Sequence, residues 1–262
     1  MSPTSVHTLD LTRRVPPIGG FNLTFLGLEI RRMLRNRRTV IFTLIMPVVF
    51  YVAFGYSQRG QSLGNANAAA YVMVSLACYG ALVATVSGAA MVSVERAQGW
   101  SRQLRLTPLR PLAYIATKTL TAMVLGLFAV LAVYIVGAAT GVALAMSAWI
   151  LSGLAAWLCA FVFAALGLFV GYLIPSENVM QIMGAGVGLL ALAGGLFVPV
   201  SVWGPGFQAW ARFTPAYGVG EIARAPLHAD AFDWVAVPNI IIWTILFAVG
   251  ATLLFRRDTK RV

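Results

Sequence analysis

Few side chains in this sequence can carry covalent or metal chemistry. Its 262 residues include 8 Asp and Glu, 2 His and 2 Cys. The carboxylates are scattered and His7 and His228 stand alone. Cys78 and Cys159 lie inside apolar runs without a CxxC partner, so each reads as a small buried hydrophobe. No set of these residues has the spacing of a metal site, or of a nucleophile with its base. No GxxxxGK[ST] occurs and the only lysines are Lys118 and Lys260, so the chain has no phosphate-cradling loop of its own. What remains is recognition, and it concentrates in residues 95–111, "ERAQGWSRQLRLTPLRP". There Glu95, Arg96, Arg102, Arg105 and Arg110 crowd between two uncharged runs. Trp100 and Leu104 are four apart and share one face of a short helix. Gly99 allows the turn into that helix, and Pro108 and Pro111 close it. A helix with an apolar anchor and basic flanks suits a groove on a partner. The plainer reading is a basic loop that fixes topology, but such a loop has no use for Trp100 and Leu104 in water.

The elements around this segment must be membrane helices. The chain is 60% hydrophobic with a mean hydropathy of +0.83, and only 10% of it is charged, against roughly 25% in soluble domains. Charge-free runs long enough to span lipid, about 20 residues each, place six helices near 39–56, 67–94, 113–137, 148–174, 178–198 and 236–255. Their length and lack of alternation exclude strands, and in lipid only helices or closed barrels satisfy every backbone group. The predicted fold is therefore an all-α polytopic membrane protein. The N-terminus is no simple signal peptide, because its first apolar run begins only near Thr39. The net charge of +11 reads as topology, not as nucleic-acid binding. Of the 19 Lys and Arg, sixteen fall before the first helix, between the second and third, or after the sixth; only Arg59, Arg212 and Arg224 fall on the other side. Basic residues stay inside, so both termini are expected in the cytoplasm. No Asp, Glu, Lys or Arg is expected deep in a span, which argues against an ion-coupled carrier.

The connecting segments add detail. After a cytoplasmic tail (1–20), residues 21–38 place Phe21, Phe25 and Leu28, and Leu23, Leu26, Ile30 and Met33, at helical spacing, with arginines gathering at the end. This predicts an amphipathic helix lying in the cytoplasmic interface. Pro47 is expected to kink the first span. The six-helix unit runs over 39–255 and ends in a short cytoplasmic tail (256–262). Its one long external segment, 199–236, carries Trp203, Phe207 and Trp210, and Pro215 is expected to break a short amphipathic helix there. The segment is either an aromatic belt or a re-entrant lid. Gly137/Gly141, Gly167/Gly171 and Gly184/Gly188 are small-xxx-small pairs where helices can approach closely.

Residues 95–108 resemble the E-R-x-x-G-(T/W)-x-x-x-L-x-x-(T)-P pattern of the ABC-2 type permeases, through Glu95, Arg96, Gly99, Trp100, Leu104, Thr107 and Pro108. "LAGGLFVPVSVWGPGFQAWARFTPAYGVGEIAR" (192–224) resembles that family's fifth-span end and the external stretch that follows. The resemblance covers nearly the whole chain. It implies a pair of six-span permeases, identical or paralogous, over two copies of a separate ABC ATPase, in a bacterial plasma membrane. ATP and magnesium are bound by the ATPase, with no cofactor and no catalysis in this chain. It implies that 95–111 is the coupling helix, whose tilt switches a central cavity from inward to outward facing. Tyr79, Val83, Met183 and Leu190 are placed near that cavity by position alone. Within the family, the size and the compact fifth-span pattern look most like the daunorubicin-type drug-resistance exporters, with a hydrophobic or amphipathic drug or lipid as cargo. Export of a polysaccharide or lipid-linked glycan is the alternative. A secondary transporter, a channel or a membrane enzyme is more remote.

Overall fold

The computed structural model describes residues 17–63, 66–99, 111–227 and 232–260. A 3-10 turn, Pro17–Gly20, leads into α1, Leu23–Arg35. Asn22 starts α1 by accepting from the Thr24 N–H at 2.8 Å. Asn36 serves two helices: its N–H closes α1 on Met33 O, and its side chain accepts from the Thr39 N–H at the start of α2, Arg37–Phe50. Pro47 cannot donate to the ladder, and the helix then widens into a π turn, Tyr51–Gly55, before a 3-10 turn, Tyr56–Gln58. The Tyr51 side chain is fully buried there, with its hydroxyl 2.8 Å from Thr140 Oγ1. A small antiparallel pair, β1 Ser62–Leu63 and β2 Ala66–Asn67, turns the chain back. Asn67 caps the next helix by accepting from Ala70 N–H at 3.0 Å.

That helix, α3 (Ala68–Ala90), continues into α4 (Val92–Ala97) and is the axis of the molecule. As a candidate span it is 83% buried, against 22% and 17% for the first and last. Its many Ala, Gly and Ser let neighbours approach closely. Packed along it are α5 (Pro111–Ala139) and α7 (Phe161–Leu173), with α6 (Met146–Cys159) and α8 (Ser176–Ala193) alongside. The predicted fourth span is thus two helices that meet at Ala160. The stretch expected to be external forms α9 (Pro205–Ala211) and α10 (Pro215–Arg224), and α11 (Ala236–Lys260) returns along α7. Pro215 was expected to break a helix, but α9 already ends at Ala211 and Pro215 opens the next one: Thr214 accepts from the Tyr217 N–H at 3.3 Å and Pro215 takes the first helical position.

Among the described residues, five helical stretches are long and apolar enough to cross a membrane: Thr39–Gln58, Ala68–Ala97, Leu112–Ala139, Met146–Leu173 and Ala236–Arg257. The sixth expected crossing, α8, is not among them, because its first two turns carry Ser176, Glu177, Asn178 and Gln181. It ends in two nested cap bonds, Leu196 N–H to Ala191 O and Gly195 N–H to Leu192 O, and Gly195 takes the left-handed φ of +75° that such a cap requires. The glycine pairs behave differently from one another. A Cβ on Gly167 or Gly171 would meet the α3 backbone, whereas Gly184 and Gly188 face open space.

The α1 helix is amphipathic, but not along both of the expected stripes. Phe25, Leu26, Ile30 and Met33 turn inward, and Met33 reaches the cluster of Ala84, Leu125 and Ala129. Leu23 and Leu28 stay exposed.

Candidate functional site

The root of the 95–111 segment is a buried cluster of charges drawn from three helices. Glu95, in α4, is 6% exposed. Its Oε1 accepts from Lys118 Nζ at 2.6 Å and from Arg32 Nη1 at 3.1 Å, and its Oε2 accepts from the Tyr114 hydroxyl at 2.6 Å. Lys118 Nζ also donates to Glu29 Oε2, at 2.5 Å. Arg32 lies 3.7 Å from Glu29 Oε1. Two carboxylates and two cations are thus balanced, and each buried carboxylate has a charged donor. That is the condition under which buried charge is tolerable. The cluster ties α1 (Glu29, Arg32) to α4 (Glu95) and to the first turns of α5 (Tyr114, Lys118).

Arg96 points elsewhere. Its Nη1 donates to Gly171 O at 3.2 Å and Tyr172 O at 2.9 Å, the last carbonyls of α7, where a cation also meets the negative helix end. Gly99 ends α4 with φ +79°, its N–H bonded to Arg96 O at 3.0 Å, as its place in the sequence predicts. Trp100, Leu104, Thr107 and Pro108 lie outside the described residues.

Sequence reasoning assigned Glu95 to a partner surface and counted Lys118 with the connecting loop. The structure buries Glu95, and it puts Lys118 in the third candidate span, Leu112–Ala139, near its first end and not in the connecting loop. Glu29, Arg32, Tyr114 and Lys118 were missed as a set. Two signals were present: Glu29 sits on the same helical face as Leu26, Ile30 and Met33, and Lys118 is a lone cation opening an apolar helix.

At the opposite end, a second set straps the external stretch to α11. The Tyr217 hydroxyl donates to Asp233 Oδ2 at 2.7 Å, and Arg212 Nε lies 3.2 Å from the same oxygen. Asn239 Nδ2 donates to Arg212 O and Trp243 Nε1 to Phe213 O, each at 2.7 Å. Trp203, Phe207 and Trp210 form a ladder with ring centroids 5.0 and 5.6 Å apart, and Trp210 is more than half exposed. Burial works against the charge on Asp233, but the Tyr217 hydroxyl, the Val235 N–H and Arg212 together hold its carboxyl below the ordinary 3.8. Burial, then the bond to Asp233, pushes Tyr217 up to about 12. The depressed Asp233 value means that the strap is intact above about pH 3.8 and is lost as pH falls through the lower folded value. Tyr217 keeps its proton up to about pH 12. Trp234 fluorescence is expected to stay flat across the neutral range and to change only in acid. Asp233→Asn should remove that acid transition; an unchanged transition in the variant would assign it to another group.

Of the positions placed near a central pathway, Tyr79 joins a triangle of rings with Phe197, tilted at 4.6 Å, and Phe50, stacked at 6.0 Å. Val83 is buried in the same core, and Met183 and Leu190 pack against it. None of the four lines the cavity of about 920 Å³ at the aromatic end, but Phe50 and Phe197 do, so Tyr79 lies beneath its wall.

The family described as ABC-2 type transporter matches residues 23–227, from the start of α1 to just past α10. The Bacillus subtilis (strain 168) protein YvfS, named as a candidate transport permease, is 28% identical over 233 residues, which cover 88% of this chain and 95% of that protein. The matched region takes in α1, the buried charge cluster, α9 and α10, and the chain belongs to the ABC-2 type transporter family as a multi-pass membrane permease subunit.

Proposed function

We propose that the chain is the membrane half of an ATP-driven exporter that moves a hydrophobic or amphipathic drug or lipid-like cargo by alternating access, as in the drug-resistance branch of the family. A separate ATPase, in two copies, binds ATP and magnesium and docks on residues 95–111. A second permease, identical or paralogous, completes the pathway, and the open glycine face of α8 supports close approach of that copy. The site is the bacterial plasma membrane, with both termini cytoplasmic. In this reading α8 makes the sixth crossing. Its first turns pack with Ala90 and Val170 at the basic end, and its far end leads into Phe197 beside Tyr79. Its 18 residues span about 27 Å, close to the roughly 30 Å of a bilayer core. With only five crossings, the arginines after α11 would lie outside, against the charge rule.

The observation that carries the proposal is the Glu95 cluster. It makes α1, α4 and α5 one rigid unit at the root of the loop, so a push on the loop moves a span instead of bending a hinge. Glu95→Gln keeps the shape and removes the charge. With the ATPase co-expressed, transport should fall about tenfold or more, the loss of a coupling free energy of ordinary size, while membrane insertion persists. Gly99→Ala should act similarly by straining the left-handed turn, at about 1–2 kcal/mol. Normal transport and normal ATPase binding in both variants would overturn the coupling role. The exposed aromatic ladder of α9 is the observation that favours a glycan cargo, since sugars stack on such rings. Export assays on Trp210→Ala separate the two: a loss for glycan alone favours the second reading.

A further inference from the structure

The cavity of about 920 Å³ lies between the end of the first span, the first turns of α3, the stretch after α8, and α9 with α10. Its volume is that of a small-molecule pocket, not a surface dimple. Phe50, Phe54, Val72, Leu76 and Phe197 give it apolar walls. Set into those walls is Arg224, the last residue of α10, only 2% exposed.

The partners of Arg224 are too few for a buried guanidinium. Nη1 donates to Ser75 Oγ at 3.1 Å, and the Tyr71 ring lies 4.9 Å from Cζ. Nε has no hydrogen-bond partner. Nη2 faces Glu221 Oε2 at 3.8 Å, beyond hydrogen-bond reach. The incompletely used edge is Nε with Nη2, the fork that takes a carboxylate or phosphate through two parallel bonds. Glu221, three residues back on the same helix, has a side chain 21% exposed, so it has solvent to move into when another anion arrives.

We propose that this cavity binds an amphipathic monoanion, with a carboxylate or phosphate head on the Nε/Nη2 edge of Arg224 and a hydrocarbon or aromatic body against the phenylalanine walls. Glu221 is the resident counter-charge that the ligand displaces. The proposal narrows the cargo class of the exporter reading and rests on that reading for the direction of movement; binding itself needs no ATPase.

The test is equilibrium binding of cis-parinaric acid to the purified full-length chain in detergent, followed by its fluorescence. Its uncharged methyl ester, lysophosphatidic acid and inorganic phosphate serve as competitors. The acid should bind saturably and the ester about tenfold or more weakly. Displacement by lysophosphatidic acid at far lower concentration than by inorganic phosphate marks a lipid-like source; the reverse order marks a free anion and overturns the amphiphile. Arg224→Gln should lose about tenfold or more in affinity, and Glu221→Gln should gain several-fold, because the competing charge is gone. Arg224→Lys, which keeps the charge without the fork, should fall between. Equal binding of acid and ester, or unchanged affinity in both the Arg224→Lys and Glu221→Gln variants, would overturn the proposal. Those outcomes leave the Glu95 test untouched, so the two readings fail separately.

Discussion

Lys118→Met is expected to be the most damaging single substitution in the chain, destabilising it by about 3–5 kcal/mol, the usual consequence of orphaning a buried charge. Methionine matches the stem of lysine, so packing is nearly preserved and the loss is electrostatic. It leaves the carboxylates of Glu29 and Glu95, held at 2.5 and 2.6 Å from the ammonium, without their shared cation. Arg32 cannot replace it, because its side chain is 47% exposed and already touches both groups from the outer side. Neutralising the carboxylates as well should recover much of the loss. The triple variant Glu29→Gln, Glu95→Gln, Lys118→Met is expected to be far closer to the parent than Lys118→Met alone. Thermal unfolding in detergent measures both. A single variant as stable as the parent would show that the cluster does not hold α1 to the bundle, and a triple variant no better than the single would assign the damage to packing.

Gly167→Val is the second. A Cβ at Gly167 would lie 2.5 Å from Val86 O and 2.9 Å from the Ala89 side chain. The carbonyl belongs to the backbone of α3, so no side chain can turn aside and the helices must part. Overpacking of this kind typically costs about 1–3 kcal/mol, sometimes more, and here it falls on the most enclosed helix. Gly184→Val, at the matching position of another small-xxx-small pair, meets nothing within 4 Å. It should leave unfolding of the isolated chain unchanged and lower only the fraction that pairs with a second permease. Loss of stability in both variants would mean that the α8 face is packed within the chain. Loss in neither would mean that α7 and α3 are not in close contact.

The contrast between those glycines shows what the sequence could and could not convey. A small-xxx-small pattern reports that a helix can approach something, not what it approaches. Span positions were legible because hydropathy and charge gaps are local properties of the chain. Gly99 was legible for the same reason: a turn needing positive φ is written at one residue. The Glu29–Lys118–Glu95 cluster was not legible, since it depends on which faces of three helices meet, across separations of 23 and 89 residues. Arg224 looked like an ordinary external cation for the same reason. Nothing in α10 announces that Ser75 and Tyr71 will close over it. For α8 the sequence placed an apolar run from residue 178; the helix begins at Ser176, so Ser176 and Glu177 join Asn178 and Gln181 in its first turns and dilute that run.

The order in which the cluster's members leave the ribosome sets a timetable for biogenesis. Glu29 and then Glu95 are made before Lys118, the residue that joins them. Until α5 arrives, α3 is covered on one side only, by α2, and α1 lacks the ammonium that ties it down. The first two spans are therefore expected to stay an unfinished pair until the third is made. The third span both encloses α3 and delivers the ammonium that locks α1 in place. A truncation that stops short of Lys118 would leave the two carboxylates with only the half-exposed Arg32 to balance them.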